Sequence, residues 1–422
     1  MHDLTVTVDA RLQSGVAGGV ESVIRGLASG LSRLDEGDER YLFLTYDDSR
    51  EWLTPSLQGA CALLSAGASP ASTAASRVRS RLRRSAPGVY GAVKSSRVLA
   101  RIGLPAIART DGVIERAGAD LMHFTIQSAF ATDVPSIYHP HDLQHVHLPQ
   151  FFSPRQRALR ERDYAFFCRQ AETVAVTSSW ARRDVIDHYG LDPAKVRVLP
   201  WAPILDEYPQ PSDHDLETIR TRYGLPDRFI LYPAQTWPHK NHMALLAALA
   251  RLRQERGIVV PFVSSGFKNE FFAKLTDREQ QLGVSDQTRW LGFVTPLELQ
   301  CLYRLATAVV VPTLFEAVSG PVWEAFVAGA PVACSNVTAL PEQAGDAALL
   351  FDPNDVPAIA DAILRLWTDS DLRQLLIGRG HARALPFSWD RTARHFRAEY
   401  RRLAGRPLTD EDESLLAADV PL

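Results

Sequence analysis

Glu316 and Glu324 stand eight residues apart in the segment Pro312-Thr-Leu-Phe-Glu-Ala-Val-Ser-Gly-Pro-Val-Trp-Glu324, which puts two carboxylates around the start of one helix. Ser319 or Gly320 can cap that helix, Pro321 suits its first position, and Gly329 ahead of Ala-Pro331 suits its stop. The first amides of a helix have no partner inside it, so N–H groups around Ser319, Gly320 and Val322 can face phosphate oxygens. A carboxylate in the first turn, Glu324, can accept the two hydroxyls of a ribose-type diol, while Glu316, ahead of the helix, faces something else. Lys240, in Tyr232-Pro-Ala-Gln-Thr-Trp-Pro-His-Lys-Asn-His242, lies between a strand-like run and a helical one, and a solvated point charge there suits a phosphate.

Those residues need a frame. Ala308–Val311 reads as the strand before Glu316, so the helix opens at the carboxyl edge of a parallel sheet, where open α/β sheets bind ligands. Leu4–Val8, Tyr41–Leu44, Asp120–Phe124, Ser136–His139, Thr173–Val176 and Val196–Leu199 supply strand-like runs in the first half, separated by helical stretches. Phe229–Tyr232, Val259–Ser264, Arg289–Leu291, Ala308–Val311 and Val332–Cys334 do the same in the second half. Alternation of this kind predicts parallel sheets covered on both faces. The Pro-rich stretch of residues 202–211 reads as a linker, giving domains over 1–205 and 206–386, a helix over 387–404 that packs back on the body, and a disordered acidic tail over 405–422 holding Asp410-Glu-Asp-Glu413.

Composition excludes several classes. A chain of 422 residues with 46% hydrophobic content has ample material for two cores, and a net charge of −3 gives nucleic acid no overall attraction. Cys61, Cys168, Cys301 and Cys334 are scattered and read as reduced thiols of a cytosolic protein. The opening Met-His-Asp-Leu-Thr-Val lacks a basic, apolar leader, and no run reaches the ~18 apolar residues that span a bilayer. Between Trp52 and Thr110 acidic residues are missing, whereas Arg77, Arg79, Arg81, Arg83, Arg84, Lys94, Arg97, Arg101 and Arg109 cluster. This insertion, about 60–110, is read as a solvated face, with peripheral contact to the anionic inner face of a plasma membrane through 77–109 as the functional alternative.

Two patterns resemble metal sites and are read otherwise. The run Tyr138-His-Pro-His141-Asp142-Leu-Gln-His145-Val-His147 lacks H-E-x-x-H spacing and lies at a strand end where its histidines diverge. Asp369-Ser-Asp371 sits between two helical patterns, where helix-capping aspartates explain it. No metal is called for.

The spacing Glu316-x7-Glu324, followed by Glu324-Ala-Phe-Val-Ala-Gly-Ala-Pro-Val-Ala-Cys-Ser-Asn336, Leu340-Pro-Glu342 and Asp346-Ala-Ala-Leu-Leu-Phe-Asp352-Pro353, resembles the retaining nucleotide-sugar glycosyltransferases of the GT-B fold, glycosyltransferase family 4, group 1. His141-Asp142-Leu, Phe152-Ser-Pro and Thr177-Ser-Ser179-Trp continue the likeness through most of the chain. The resemblance implies an α/β protein of two Rossmann-like domains facing across a cleft, with the second holding a nucleoside diphosphate sugar, and no cofactor or metal. It implies that Lys240 contacts the donor diphosphate, Glu316 the donor sugar, Glu324 the ribose, and His141 the transferred sugar; Gly18-Gly19 lie near the donor phosphates and acceptor, and Gly292, Phe293 and Val294 near the base. Family members commonly hold an arginine where Gln235 stands, so one expected charge is missing at that position of the donor site. The implied reaction transfers a hexose, mannose as a first guess, to a hydroxyl of a glycan or lipid-linked glycan in bacterial surface polysaccharide synthesis. A non-catalytic scaffold of the same fold and a sugar-nucleotide epimerase are the alternatives, with a phosphorylase disfavoured.

Overall fold

The computed structural model of the protein describes residues 3–13, 19–69, 104–208 and 210–417. Two compact units divide the chain. One takes the residues up to Val176, with Val185–Arg197 and the stretch from Ala393; the other takes Thr177–Asp184 and Val198–Thr392.

The first unit holds strands β1 (Leu4–Asp9), β2 (Glu39–Thr45), β3 (Cys61–Ser65), β4 (Leu121–Phe124), β5 (Ser136–Tyr138), β6 (Thr173–Val176) and β7 (Val196–Val198), ordered β3-β2-β1-β4-β5-β6-β7. β1 pairs in parallel with both β2 and β4, so the order reverses between β1 and β4. Every residue of β1, β4, β5 and β6 is buried, as expected of strands covered on both faces. Helix α1 (Gly19–Ser32) turns Ile24, Leu27, Ala28 and Leu31 inward, and α2 (Pro154–Gln170) starts on a capping box in which Ser153 and Gln156 exchange bonds. Strand β3 goes beyond the runs read from the sequence. Cys61-Ala-Leu-Leu-Ser65 is apolar but short, with no β-branched residue and no alternation to mark it as a strand.

The second unit holds β8 (Ile230–Pro233), β9 (Phe262–Ser265), β10 (Thr288–Gly292), β11 (Ala308–Val311), β12 (Val332–Ser335) and β13 (Ala348–Phe351), ordered β10-β9-β8-β11-β12-β13. This is the doubly wound dinucleotide-fold order, with its switch point between β8 and β11, which pair in parallel. Helix α3 (Ser179–Tyr189) lends its first turns to this unit; α4 (His242–Arg256), α5 (Pro296–Leu305) and α6 (Gly320–Ala328) belong to it wholly. Leu245, Leu246 and Leu249 of α4 join Phe229, Phe262, Val310 and Phe326 in one core. Each such side chain contributes on the order of 1.5–3 kcal/mol of transfer free energy, enough to hold the strand ends that carry the polar loops. β13, also unread from the sequence, is only partly buried before Phe351.

Helix α7 (Trp389–Leu403) ends in the first unit, and the tail beyond it differs from expectation. Asp410–Ala417 forms α8 rather than a disordered tail. Thr409 and Asp412 exchange capping bonds of 3.0 and 3.1 Å, and Arg401 reaches Asp412 at 2.8 Å. The acidic run that reads as a disordering block occupies the first turn of a helix, where negative charge is favoured by the dipole. The basic stretch through residue 103 lies outside the described residues, so only Arg109 of that cluster has a described position. No helix among the described residues is long and apolar enough to cross a membrane.

Candidate functional site

The switch point of the second sheet gathers the polar residues singled out in the sequence. β8 leads through Gln235 and Trp237 into a single 3-10 turn, Pro238–Lys240, and β11 leads through Thr313 to Glu316. The two loops are tied together: Leu314 N donates to His239 O at 2.8 Å. Asn241, at φ +58, closes the first loop and spends its side-chain amide on Pro312 O and Pro353 O at 3.0 and 2.9 Å. A left-handed residue is tolerable there because Asn adopts that region more readily than most, and its two bonds over-determine it.

The result is a close ion pair. Lys240 Nζ lies 2.5 Å from Glu316 Oε1, with the two side chains 19% and 12% exposed. Glu316 is further fixed by its backbone: its N–H donates to Thr338 Oγ1 at 3.1 Å, and the Thr338 hydroxyl donates to Glu316 O at 2.6 Å. The sequence reading placed these two residues on one ligand; the structure places them on each other.

Helix α6 begins at Gly320 after the Ser319 cap, but two details correct the sequence reading. Ser319 makes no side-chain cap bond, and its amide is already taken by Gln343 Oε1 at 2.8 Å while Gln343 Nε2 donates to Ser319 O at 2.7 Å. Ser319 therefore offers no N–H to a ligand, which leaves the amides of Gly320 and Val322, whose side chain is buried in the core. Glu324 is the fifth helical residue and so lies in the second turn, not the first. Helical side chains lean toward the N-terminus, and Glu324 Oε1 comes within 3.9 Å of where a Cβ on Gly320 would stand. The carboxylate thus returns to the helix start.

Tyr303, on α5, donates its hydroxyl to Glu324 Oε2 at 2.6 Å. Burial pushes the Glu324 carboxyl above the ordinary carboxylate range, and the Tyr303 bond opposes that rise. Neither Tyr303 nor Gln343 was found from the sequence, because a tyrosine in an apolar helix and a glutamine after Pro-Glu carry no motif of their own. Glu342, by contrast, accepts from the amides of Ser179 and Trp180 at 2.7 and 2.9 Å, so it caps α3.

Gln235 sits at the end of β8 and accepts from Trp237 Nε1 at 2.8 Å. Gly292 has φ +77, Phe293 is 67% exposed, and Val294 packs partly on the core; Gly292 ends β10 and the other two follow it, two strands away from β8.

In the first unit, His141 follows β5 at φ +62 and its Nε2 bonds Thr125 O at 2.8 Å. A carbonyl only accepts, so this nitrogen carries the proton. Burial drives the ring's pKa down to about 4, against the pull of that carbonyl. The expected divergence holds only in part, for the His139 ring lies 5.8 Å from that of His141. His139 Nε2 meets His123 Nε2 at 2.8 Å, His123 Nδ1 meets Tyr400 OH at 2.7 Å, and His145 turns to Glu161 at 3.3 Å. His123, an isolated histidine inside β4, gave no sequence signal. Gly19 opens α1 with open space where a side chain would project, whereas Gly18 lies outside the described residues.

Comparison with known proteins follows the same division. Residues 216–383 match the family described as Glycosyl transferases group 1, and residues 17–202 match Glycosyltransferase Family 4. The chain is 30% identical to O-antigen chain mannosyltransferase B of Escherichia coli over 253 residues, 59% of this chain and 66% of that protein. It is 29% identical to a D-inositol 3-phosphate glycosyltransferase of Corynebacterium jeikeium (strain K411) over 258 residues, 58% of this chain and 62% of that one. The chain thus spans a little under two thirds of these relatives. The crystal structure of Anabaena HepE with UDP and glucose covers 94% of this chain and 100% of its own at TM-score 0.68 and 17% identity, a likeness of fold, GT-B.

Proposed function

Since this chain belongs to the group 1 glycosyl transferases of family 4, we propose that it is a retaining hexosyltransferase that uses a nucleoside diphosphate sugar, with mannose as the hexose. The acceptor is a hydroxyl of a glycan or lipid-linked glycan of a bacterial surface polysaccharide. The O-antigen mannosyltransferase among its relatives supports both assignments.

One observation carries the reading: Lys240 and Glu316 pair across the loops that follow the two switch-point strands, and the second of these loops runs on into the helix that starts at Gly320 and carries Glu324. Glu324 accepts the ribose diol through Oε1, since Tyr303 engages Oε2. The diphosphate sits on the Gly320 and Val322 amides. As it enters, Lys240 exchanges Glu316 for a phosphate oxygen, and Glu316 turns to the hydroxyls of the hexose. The transition state separates an oxocarbenium-like sugar from an anionic leaving group, so a preorganised cation and helix dipole are the main catalytic contribution. The leaving phosphate takes the acceptor proton on the face it departs from, and configuration is kept. His141, neutral above pH 5, bonds a sugar hydroxyl without adding charge near the developing cation. Gly292, Phe293 and Val294 hold the base.

The test is transfer from labelled nucleotide sugars, GDP-mannose first, in a reconstituted assay with Lys240→Ala and Glu316→Ala. Both variants lose transfer if the donor site is assigned correctly; activity that survives both changes refutes it. Thermal shift against GDP, UDP, dTDP and ADP identifies the nucleotide, because a ligand bound only by the native state raises apparent stability.

A further inference from the structure

Trp237 is 47% exposed, yet it is fixed. Its backbone N–H donates to Gln235 O at 2.8 Å and its indole Nε1 donates to Gln235 Oε1 at 2.8 Å, so one residue holds both ends of it. The Gln235 backbone is in turn closely packed. The chain at Ala234-Gln235 rests on Gly266, at φ +124, where a Cβ would lie 2.7 Å from Ala234 C and O and 2.9 Å from Gln235 N. The next residue, Thr236, is anchored to the loop after β9 through Phe267 O and Asn269. A tryptophan that is half exposed while its backbone and indole N–H groups are both hydrogen-bonded has aromatic surface available to a ligand.

The clamp also accounts for the missing charge. Where the family resemblance implies an arginine, Gln235 supplies no charge and its carbonyl accepts from the Trp237 indole. We propose that Trp237 is a stacking platform for the face of a hexopyranose ring, a binding residue of the donor–acceptor site additional to those above. The inference rests on the reading of that site as a glycosyltransferase donor site. With Nε1 already used, recognition falls to the π face, which suits the C–H face of a sugar. Position favours a sugar over the nucleobase: Trp237 lies three residues before Lys240, on the loop whose lysine meets Glu316, whereas Gly292–Val294 lie at the end of β10, beyond β9 in the sheet order. The ring can belong to the donor hexose or to the terminal sugar of the acceptor, and the two are separable.

Binding is measured by calorimetry for wild type, Lys240→Ala, Trp237→Ala, Trp237→Phe and Gln235→Ala. The probes are GDP, UDP, dTDP and ADP alone, GDP-mannose and the glucose conjugates of the other three, and mannotriose with the bound nucleotide present. Trp237→Ala is expected to weaken either the conjugate or mannotriose about five- to tenfold, leaving the bare nucleoside diphosphate within twofold. Loss with the conjugate marks the donor sugar, and loss with mannotriose marks the acceptor. Trp237→Phe restores most of the affinity, and Gln235→Ala shows a smaller loss in the same direction, as a positioning residue should. Equal weakening of the bare diphosphate assigns the indole to the base and overturns the proposal, as does unchanged binding of both sugars. If wild type binds none of the conjugates, the donor-site reading falls and this inference with it. If wild type binds and Lys240→Ala abolishes binding while Trp237→Ala does not weaken any probe, the platform alone is wrong.

Discussion

Lys240 Nζ and Glu316 Oε1 are 2.5 Å apart at the switch point of the second sheet, so the cation and the carboxylate of the candidate donor site neutralise each other before any ligand arrives. Binding must replace that partner. Glu316→Gln should therefore free Lys240 and tighten binding of the bare nucleoside diphosphate several-fold, while transfer falls about 100-fold for want of the carboxylate. Lys240→Ala should weaken the diphosphate and lower kcat on the order of 10²–10³-fold, the usual cost of one preorganised charge contact. Calorimetry and initial rates, measured side by side, check the opposed directions; weaker diphosphate binding by Glu316→Gln would count against the exchange.

Tyr303→Phe removes the bond that holds Glu324 down against burial. The Glu324 pKa then rises further, and a carboxyl must be ionised to accept both hydroxyls of a diol. As pH falls, the variant should lose donor affinity at a higher pH than wild type, shifting the acid limb of kcat/KM upward, with little change above pH 8. An acid limb that stays in place, or moves down, would separate Tyr303 from the nucleotide.

His242 is buried between Tyr232 and Trp290, ring centroids 4.8 and 5.4 Å away, and neither ring nitrogen finds a hydrogen-bond partner among the described residues. Burial, with the charge of Lys240 nearby, lowers its pKa to about 3. Between that value and the ~6.5 of an unfolded histidine the unfolded chain binds more protons, so stability falls as pH falls through this window. The loss is roughly 2 kcal/mol from pH 6.5 to 5. His242→Phe should abolish this share, giving a variant at least as stable as wild type at pH 7 and clearly more stable at pH 5 in urea melts.

Asp412→Ala tests the C-terminal helix. Arg401 lies between Glu39 and Asp412, whose side chains are 3% and 0% exposed. Burial pushes the Asp412 carboxyl up, but bonds from Thr409 and Arg401 outweigh it and leave the pKa below the ordinary value. The stabilisation is present above the unfolded pKa of ~3.9 and is lost as pH falls through the lower folded one. The substitution should cost about 3 kcal/mol at pH 7, with the difference from wild type shrinking below pH 4. A disordered tail would show no such cost.

The strands of both sheets, the helix at Gly320 and the family were legible in the sequence because each rests on local rules. Buried parallel strands read as apolar runs, prolines and glycines punctuate helix ends, and a motif such as Glu316-x7-Glu324 is written in consecutive residues. β3 and β13 escaped because Cys61-Ala-Leu-Leu-Ser65 and Ala348-Leu-Leu-Phe351 are short apolar runs without β-branched residues or alternation, which a local window cannot tell from helix. An acidic run in the tail has the same composition whether it is solvated or opens a helix; the buried Arg401 pair, formed with a residue 11 positions earlier, decided the matter. Composition and order along the chain thus determined which residues carry charge and which loops follow which strands. Only tertiary structure decided that Gln343 occupies the Ser319 amide, that Tyr303 orients Glu324, that Gln235 clamps Trp237, and that Lys240 and Glu316 hold each other across 76 residues. Such pairings depend on which strand ends the sheet sets side by side, and strand order is fixed by long-range packing that no local window of sequence records.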